Sequence, residues 1–162
     1  MEVSKNKNEH TEAIESFLKS LRKLKDLEIM SNQKDFTSQI GEWIIATLYG
    51  ADLAKSGNQK GWDMSIGNEK IQVKSHAKAK TTPRAETDFK YSDDAEFDIF
   101  VIVIFDESYK IKNIYKIPKS VAMNLKLKSR KEPVIVWTQI PKEFDLDLKK
   151  EFASNELLSS FI

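Results

Sequence analysis

The chain has 162 residues, of which 40% are hydrophobic and 31% charged, with a formal net charge of +1 and no cysteine. This balance indicates a soluble, folded chain of one-domain length, and it excludes a disulfide framework and a thiolate metal site. The first residues lack the apolar core of a signal peptide, and the longest apolar run, Ile99 to Phe105, is too short for a membrane helix, so we expect a cytoplasmic protein without a membrane partner.

Two helices are predicted in the first third of the chain. The second begins near Asp35 or Thr37, which are suitable N-caps, and extends to about Lys55. We expect residues 1–34 to form a helical segment that packs on the rest of a single domain spanning residues 1–162. Over about residues 9–30, apolar residues recur at spacings of three and four, at Ile14, Phe17, Leu18, Leu21, Leu24 and Leu27.

A tight β-hairpin is predicted around Gly67 and Asn68, a dipeptide suited to the positive-φ positions of a two-residue turn. This turn pairs Ile66 with Glu69 and thereby sets the register of the hairpin. Side chains alternate between the two faces of a strand, so the hairpin has an apolar and a polar face. The apolar face comprises Trp62, Met64, Ile66, Ile71 and Val73, and the polar face comprises Asp63, Ser65, Lys70, Gln72 and Lys74.

The rest of the sequence predicts strands and short helices. The apolar run Phe97–Phe105 is typical of a strand covered on both faces, and the alternating residues 109–117 predict its neighbour. The whole order predicts an α/β or α+β fold in which a mixed β-sheet is flanked by helices. The other predicted elements are an irregular segment at 77–92, a helix from Pro118 to about Leu127, a strand at Val134–Trp137 and a short helix near Asn155–Phe161.

The polar face of the hairpin carries groups suited to phosphodiester hydrolysis. The predicted pairing brings the Asp63 carboxylate, the Gln72 amide and the Lys74 ammonium within about 5–8 Å of one another. Hydrolysis needs an activated water and compensation of charge on the pentavalent phosphate, and Mg²⁺ can supply both. Because Mg²⁺ prefers carboxylate and carbonyl oxygens, we expect it to bind Asp63, the side-chain carbonyl of Gln72 and the backbone carbonyl of Val73. Mn²⁺ is expected to substitute.

Two more groups complete the predicted site. Lys74 is expected to orient the attacking water or to stabilise the phosphorane. Glu42 lies on the second helix, beside its main apolar stripe and flanked by Trp43, Ile45 and Tyr49, which is not the setting of a simple solvated residue. If this helix packs beside the hairpin, Glu42 reaches the metal directly or through a water molecule.

The order of these residues resembles that of the PD-(D/E)xK nuclease superfamily. Residues 41–44 (Gly-Glu-Trp-Ile), 61–63 (Gly-Trp-Asp) and 71–74 (Ile-Gln-Val-Lys) follow the pattern of a helix with Glu, a strand with Asp and a strand with acid-x-Lys. Gln72 stands at the position of the second acid, as in the Mrr-like variant of that superfamily.

The resemblance implies a restriction-endonuclease-like fold and a Mg²⁺-dependent DNA endonuclease of restriction or repair type. It assigns the catalytic positions to Glu42, Asp63, Gln72 and Lys74. The sequence departs from the family pattern in two places. Trp62 stands where a proline precedes the first acid, and Gln72 removes one negative charge, which lowers the expected metal affinity and leaves open a catalytically weak or inactive member.

Basic residues after the hairpin are candidates for contacts with the DNA backbone. Lys78, Lys80 and Arg84 extend the predicted active face, and His76 follows the hairpin strand, where it is a further candidate for a contact with phosphate or substrate. Acidic residues gather elsewhere in the chain, so one side of the molecule is expected to be basic and suited to phosphates. Ordinary solvated lysines would give the same pattern.

Three functions therefore remain open at the level of sequence. The first is an endonuclease acting as a homodimer, because cutting both strands needs two sites and symmetry supplies the second. The second is a nuclease-fold protein that binds DNA or a partner without turnover. The third is an interaction subunit of a defence or toxin system, with the apolar side of the N-terminal helix as its partner surface.

Overall fold

The computed structural model describes residues 7–32, 35–54, 61–78, 83–128 and 131–162. The helices are α1 (Lys7–Asp26), α2 (Phe36–Tyr49), α3 (Lys119–Leu125) and α4 (Leu148–Phe152). The strands are β1 (Asp52–Leu53), β2 (Met64–Ile66), β3 (Glu69–Ala77), β4 (Glu86–Asp88), β5 (Ile99–Phe105), β6 (Ile111–Pro118) and β7 (Val134–Val136). Short 3₁₀ turns cover Trp137–Gln139, Lys142–Phe144 and Glu156–Phe161.

A five-stranded mixed sheet in the order β1-β2-β3-β5-β6 forms the centre of the fold. β3 and β5 run parallel, and the other neighbours run antiparallel. The α+β class with a mixed sheet and flanking helices is thus confirmed. The strand predicted at 134–137 does not join this sheet, because β7 pairs with β4 in a separate two-stranded sheet. β4 itself falls in the segment 77–92 that was expected to be irregular.

The central strands are covered on both faces, as the apolar run of β5 predicts. On one face, Val101 and Val103 pack with Ile44 of α2 in a first core. On the other face, Phe100 and Ile102 pack in a second core that includes Ile135 of β7 and Trp137 in the turn after it. β5 therefore contributes alternate residues to two separate cores, whereas β3 contributes Ile71 and Val73 to the first core alone.

The predicted hairpin register is confirmed, since Ile66 pairs with Glu69 and Met64 with Ile71. Gly67 has φ 56°, as at the first central position of a type II′ turn. Trp62 was assigned to the apolar face of the hairpin, and this was wrong, because Trp62 packs against the second core. The chain bends at Asp63, and β2 begins only at Met64, so the strand alternation does not extend back to Trp62.

The two N-terminal helices end earlier than their periodicity predicts. Asp35 caps α2 by accepting a hydrogen bond from the Ser38 backbone N–H at 3.2 Å, as expected. α2 stops at Tyr49 rather than near Lys55, because Gly50 adopts a left-handed conformation with φ 62°.

The first helix is joined to the body mainly near its C-terminal end. Every residue from Glu9 to Ser20 is exposed. Leu24, Ile29 and Met30, in contrast, pack in or against the first core. Within the described residues, no helix is long and apolar enough to span a membrane.

The two outer strands of the central sheet differ in length and cover. β1 has only two residues, both exposed. Along β6, the segment around Asp145 adds an isolated antiparallel bridge to Tyr115. There the Leu146 backbone N–H donates to the Ile114 carbonyl at 2.9 Å, and the Asn113 amide donates to the Asp145 carboxylate at 3.0 Å.

A close contact between Gly41 and Ser75 sets the distance between α2 and β3. A Cβ atom at Gly41 would lie 1.8 Å from Oγ of Ser75 and 2.8 Å from its Cβ. Glycine is therefore required at this point for the helix to approach the strand. The Ser75 hydroxyl is buried and has no hydrogen-bond partner among the described residues.

We expect Gly41→Ala to destabilise the fold. The overlap with Ser75 costs about 1–3 kcal/mol, which outweighs a gain of about 1 kcal/mol in helix propensity. Adding Ser75→Gly should restore most of the stability, and adding Ser75→Ala should restore less because its Cβ remains in the way. Urea unfolding measures these differences, with Ser75→Ala alone as a near-neutral control. Wild-type stability in Gly41→Ala would contradict the contact.

Candidate active site

The carboxylate of Asp63 lies where β2 and β3 separate at the open end of the hairpin. We call this opening, which Asp63, Gln72 and Val73 line, the fork. The Asp63 backbone N–H donates to the Ile71 carbonyl at 2.8 Å, and the chain before Asp63 then turns away from β3. The next amide of β3 that faces this side, that of Val73, donates to Oδ2 of Asp63 at 2.7 Å. A side-chain oxygen thus takes the place that a backbone carbonyl of β2 would otherwise fill.

The carbonyl of Val73 points into the same fork. The N–H and C=O groups of one residue in a strand point to the same neighbouring strand, and the Val73 N–H points towards Asp63. Nε2 of Gln72 donates to Oδ2 of Asp63 at 2.5 Å and contacts the Val73 carbonyl oxygen at 3.4 Å. Two oxygen atoms of the predicted metal site therefore converge on a single donor.

Gln72 is almost fully buried, with 6% of its surface exposed. Sequence analysis assigned its carbonyl oxygen to the metal, whereas in the structure its amide nitrogen faces the two oxygens. Rotation by half a turn about the last side-chain torsion exchanges the two ends of the amide, and this torsion is broad and roughly two-fold. The same side chain can thus present Oε1 to a cation in the fork.

Glu42 on α2 lies close enough to the fork for the charges of Asp63 and Lys74 to shift its pKa. Burial, followed by the charges of Asp63 and Asp35, raises the pKa of Glu42 from 4.5 to about 7, and the charge of Lys74 opposes the rise. Glu42 and Asp63 line one cavity of about 450 Å³. The Gly41–Ser75 contact one residue away fixes the height of this part of the helix above β3.

The pKa of Asp63 is also subject to opposing influences. Burial raises its pKa, while the Val73 N–H, the Lys74 ammonium and the Gln72 amide lower it. Lys74 itself is exposed, and its charge acts on both Glu42 and Asp63. The structure therefore brings Glu42, Asp63, Gln72 and Lys74 into one neighbourhood.

His76 is held by a buried hydrogen-bond relay. Nε1 of Trp137 donates to Oγ1 of Thr87 at 2.8 Å, and Oγ1 of Thr87 lies 2.9 Å from Nε2 of His76. Burial, with the charges of Arg84 and Lys74, lowers the pKa of His76. The tautomer of the His76 ring sets which of the two groups, the Thr87 hydroxyl or Nε2, donates in this hydrogen bond.

The other predicted DNA contacts lie around a second, small cavity of about 60 Å³ that includes His76, Lys78 and Arg84. Nζ of Lys78 lies 5.3 Å from the centre of the Trp137 ring. Arg84 pairs with the carboxylates of Glu86 at 3.4 Å and of Asp88, which offset much of its charge. Lys80 falls outside the described residues.

Thr87 and Trp137 are positioning residues that sequence analysis did not identify. Thr87 lies in a strand of three residues, which is too short for its alternation to be recognised. Trp137 was assigned only to a buried strand. A buried tryptophan usually pairs its N–H, and this was the one signal that pointed to a partner.

The oxygen atoms at the fork fit a hard divalent cation. They come from carboxylates, an amide and a backbone carbonyl, which are the ligands that Mg²⁺ prefers. Within the described ranges, no three histidine, aspartate or glutamate side chains form a cluster able to hold a metal. A metal at this fork would therefore depend on the neutral oxygens of Gln72 and Val73 beside the acids. No family model matches the sequence, and no curated protein matches it.

The raised pKa of Glu42 predicts a pH-dependent stability. A pKa of about 7 in the folded state against 4.5 means that protonation stabilises the fold fully below about pH 4.5, and that this stability is lost as the pH rises to about 7. Glu42→Gln carries no such charge. Its stability relative to wild type should rise across this window, by about 1–2 kcal/mol at pH 8 after allowance for solvent screening.

Urea unfolding from pH 4 to pH 8 measures this difference. Glu12→Gln, an exposed change on α1, is the matched control and should follow the wild-type profile. Parallel profiles for Glu42→Gln and wild type would show that Glu42 is ordinarily solvated.

Proposed function

We propose that this chain is a cytoplasmic, Mg²⁺-dependent endodeoxyribonuclease of the PD-(D/E)xK type, with a restriction-endonuclease-like fold and a role in restriction or repair. The observation that carries the proposal is the fork, in which the Asp63 carboxylate and the Val73 carbonyl converge on one hydrogen-bond donor. Glu42 and Lys74 act electrostatically on the same point. A half-buried pair of acids with a neighbouring lysine is a costly arrangement for stability alone.

Four residues would hold the cation. Asp63 and the Val73 carbonyl supply fixed oxygens, Gln72 supplies Oε1 once its amide has turned, and Glu42 binds directly or through a water. When bound, Mg²⁺ lowers the pKa of a water and offsets charge on the phosphate. A cation held there would offset the charge of both carboxylates and so lower the pKa values of Glu42 and Asp63, which burial raises.

Lys74 performs the remaining chemistry. Its ammonium, on the strand face that also bears Gln72 and His76, orients the attacking water or stabilises the additional negative charge that the phosphate acquires. Lys78 and His76 contact the DNA backbone on the same side, with Lys80 in the segment that follows. Arg84 contributes less charge because Glu86 and Asp88 already pair with it.

Cleavage of supercoiled plasmid DNA tests the proposal. We expect nicking or linearisation in Mg²⁺ or Mn²⁺, none with chelator, and a loss of about 100-fold or more in Asp63→Ala and in Lys74→Ala. Lys70→Ala is the matched control, because Lys70 lies on the same strand but pairs with Glu96 at 3.2 Å. Undiminished cleavage in both active-site variants would refute the mechanism.

Gln72→Glu tests the oxygen donors separately. The substitution removes the amide that donates to Asp63 and places a second carboxylate beside it, which repels the first. Without metal, the variant should therefore unfold at a lower temperature than wild type. Added Mg²⁺ should raise its melting temperature more than that of wild type, because the site has gained a negative ligand. Thermal unfolding with and without Mg²⁺ measures both effects. Equal metal-induced shifts in the two proteins would place the metal elsewhere.

One observation favours a second candidate, a catalytically weak or inactive nuclease-fold protein that binds DNA or a partner. The Gln72 amide already satisfies both the Asp63 carboxylate and the Val73 carbonyl, so the fork is stable without a cation. This candidate predicts salt-sensitive DNA binding without cleavage in any divalent metal, and with no metal-induced rise in melting temperature.

A further inference from the structure

The exposed part of α1 carries a continuous apolar stripe. Ile14, Phe17 and Leu18 expose 60%, 61% and 47% of their surfaces. Scattered apolar residues are common on protein surfaces, but a contiguous apolar patch on one helix indicates an interaction site. Because Leu24 packs against the first core, the stripe begins at the body and runs outward along the helix.

The spacing of the stripe is that of a coiled-coil seam. Ile14, Phe17 and Leu21 follow one another at intervals of three and four residues, which is the alternation of the a and d positions in a heptad. Leu24, the next position of this pattern, packs against the body of its own chain. Such a seam is complementary to a second helix with the same spacing. The occupant that most directly offers this spacing is α1 of another copy of the chain.

Apart from Lys7 and Asp26 at its two ends, the charges of α1 are divided between its two halves. Glu9, Glu12 and Glu15 lie in the N-terminal half, and Lys19, Arg22, Lys23 and Lys25 lie in the C-terminal half, all exposed. The helix macrodipole favours acidic residues in the first turn and basic residues in the last. It does not account for Glu15 and Lys19, which lie in the middle of the helix, beyond the reach of either terminus.

We infer that α1 pairs with α1 of a second copy in antiparallel orientation. This orientation places the mainly acidic half of each helix against the mainly basic half of the other, whereas a parallel pair would oppose halves of like charge. The pairing is isologous, so one two-fold axis generates a closed dimer. It needs neither DNA nor metal and is therefore independent of the proposed nuclease function.

The size of the helix sets the strength of the dimer. Twenty residues span about 30 Å, and a stable interface usually covers about 800 Å² on each partner. A single pair of helices of this length lies at the lower end of that range. The dimer is therefore expected to dissociate on dilution and to weaken when its apolar or charged contacts are removed.

Sedimentation velocity over a range of protein concentrations, without DNA or divalent metal, tests the pairing. Wild type should pass from monomer to dimer as concentration rises, and Phe17→Glu should raise the dissociation constant about tenfold or more. The matched control is Leu157→Glu, which changes a residue of equal exposure, 62%, outside α1. A wild-type protein that stays monomeric, or equal effects of the two variants, would overturn the inference.

Charge exchange tests the orientation. Reversing the three glutamates of the N-terminal half to lysine, or Lys19, Arg22 and Lys23 to glutamate, should each weaken the dimer about tenfold or more, because like charges then face each other. Combining both sets in one chain restores opposite charges only in an antiparallel pair, so dimerisation should recover. Failure to recover, with helix content unchanged by circular dichroism, would overturn the antiparallel arrangement.

Discussion

The hydrogen bond from the Val73 amide to the Asp63 carboxylate is the contact on which the site depends. β2 and β3 separate at this point, and a buried amide left without a partner costs about 1–3 kcal/mol. Oδ2 of Asp63 accepts that amide at 2.7 Å and so closes the end of the ladder. The same bond keeps a carboxylate partly buried, and the Gln72 amide and the electrostatic influence on Glu42 both follow from its position.

Much of this site could be predicted from sequence because its geometry is local. The Gly67–Asn68 turn fixes the register of the hairpin, and the register fixes which residue opposes which. The position of Glu42 followed from helical periodicity together with the unusual apolar neighbours of an acid. What sequence could not supply was the distance between α2 and β3, since that depends on the contact of Gly41 with Ser75, 34 residues further along the chain.

The other differences between the sequence predictions and the structure arise where short elements that lie far apart in the sequence pair with each other. β4 and β7 have three residues each, too few to display a period, and they pair across almost 50 residues of sequence. Without that pairing, Thr87 and Trp137 cannot be recognised as supports of His76. Trp62 shows a related effect, because the chain bends at Asp63, between Trp62 and the start of β2 at Met64, and the alternation of faces ends there.

The outer strands of the central sheet have a consequence for solubility and assembly. An open strand offers unpaired amides and carbonyls to any neighbouring chain, which invites aggregation. Here one rim is only two residues long, Asp52 and Leu53, and the opposite rim is partly occupied by the segment at Asp145 and Leu146. Both rims thus discourage the addition of a further strand to the central sheet.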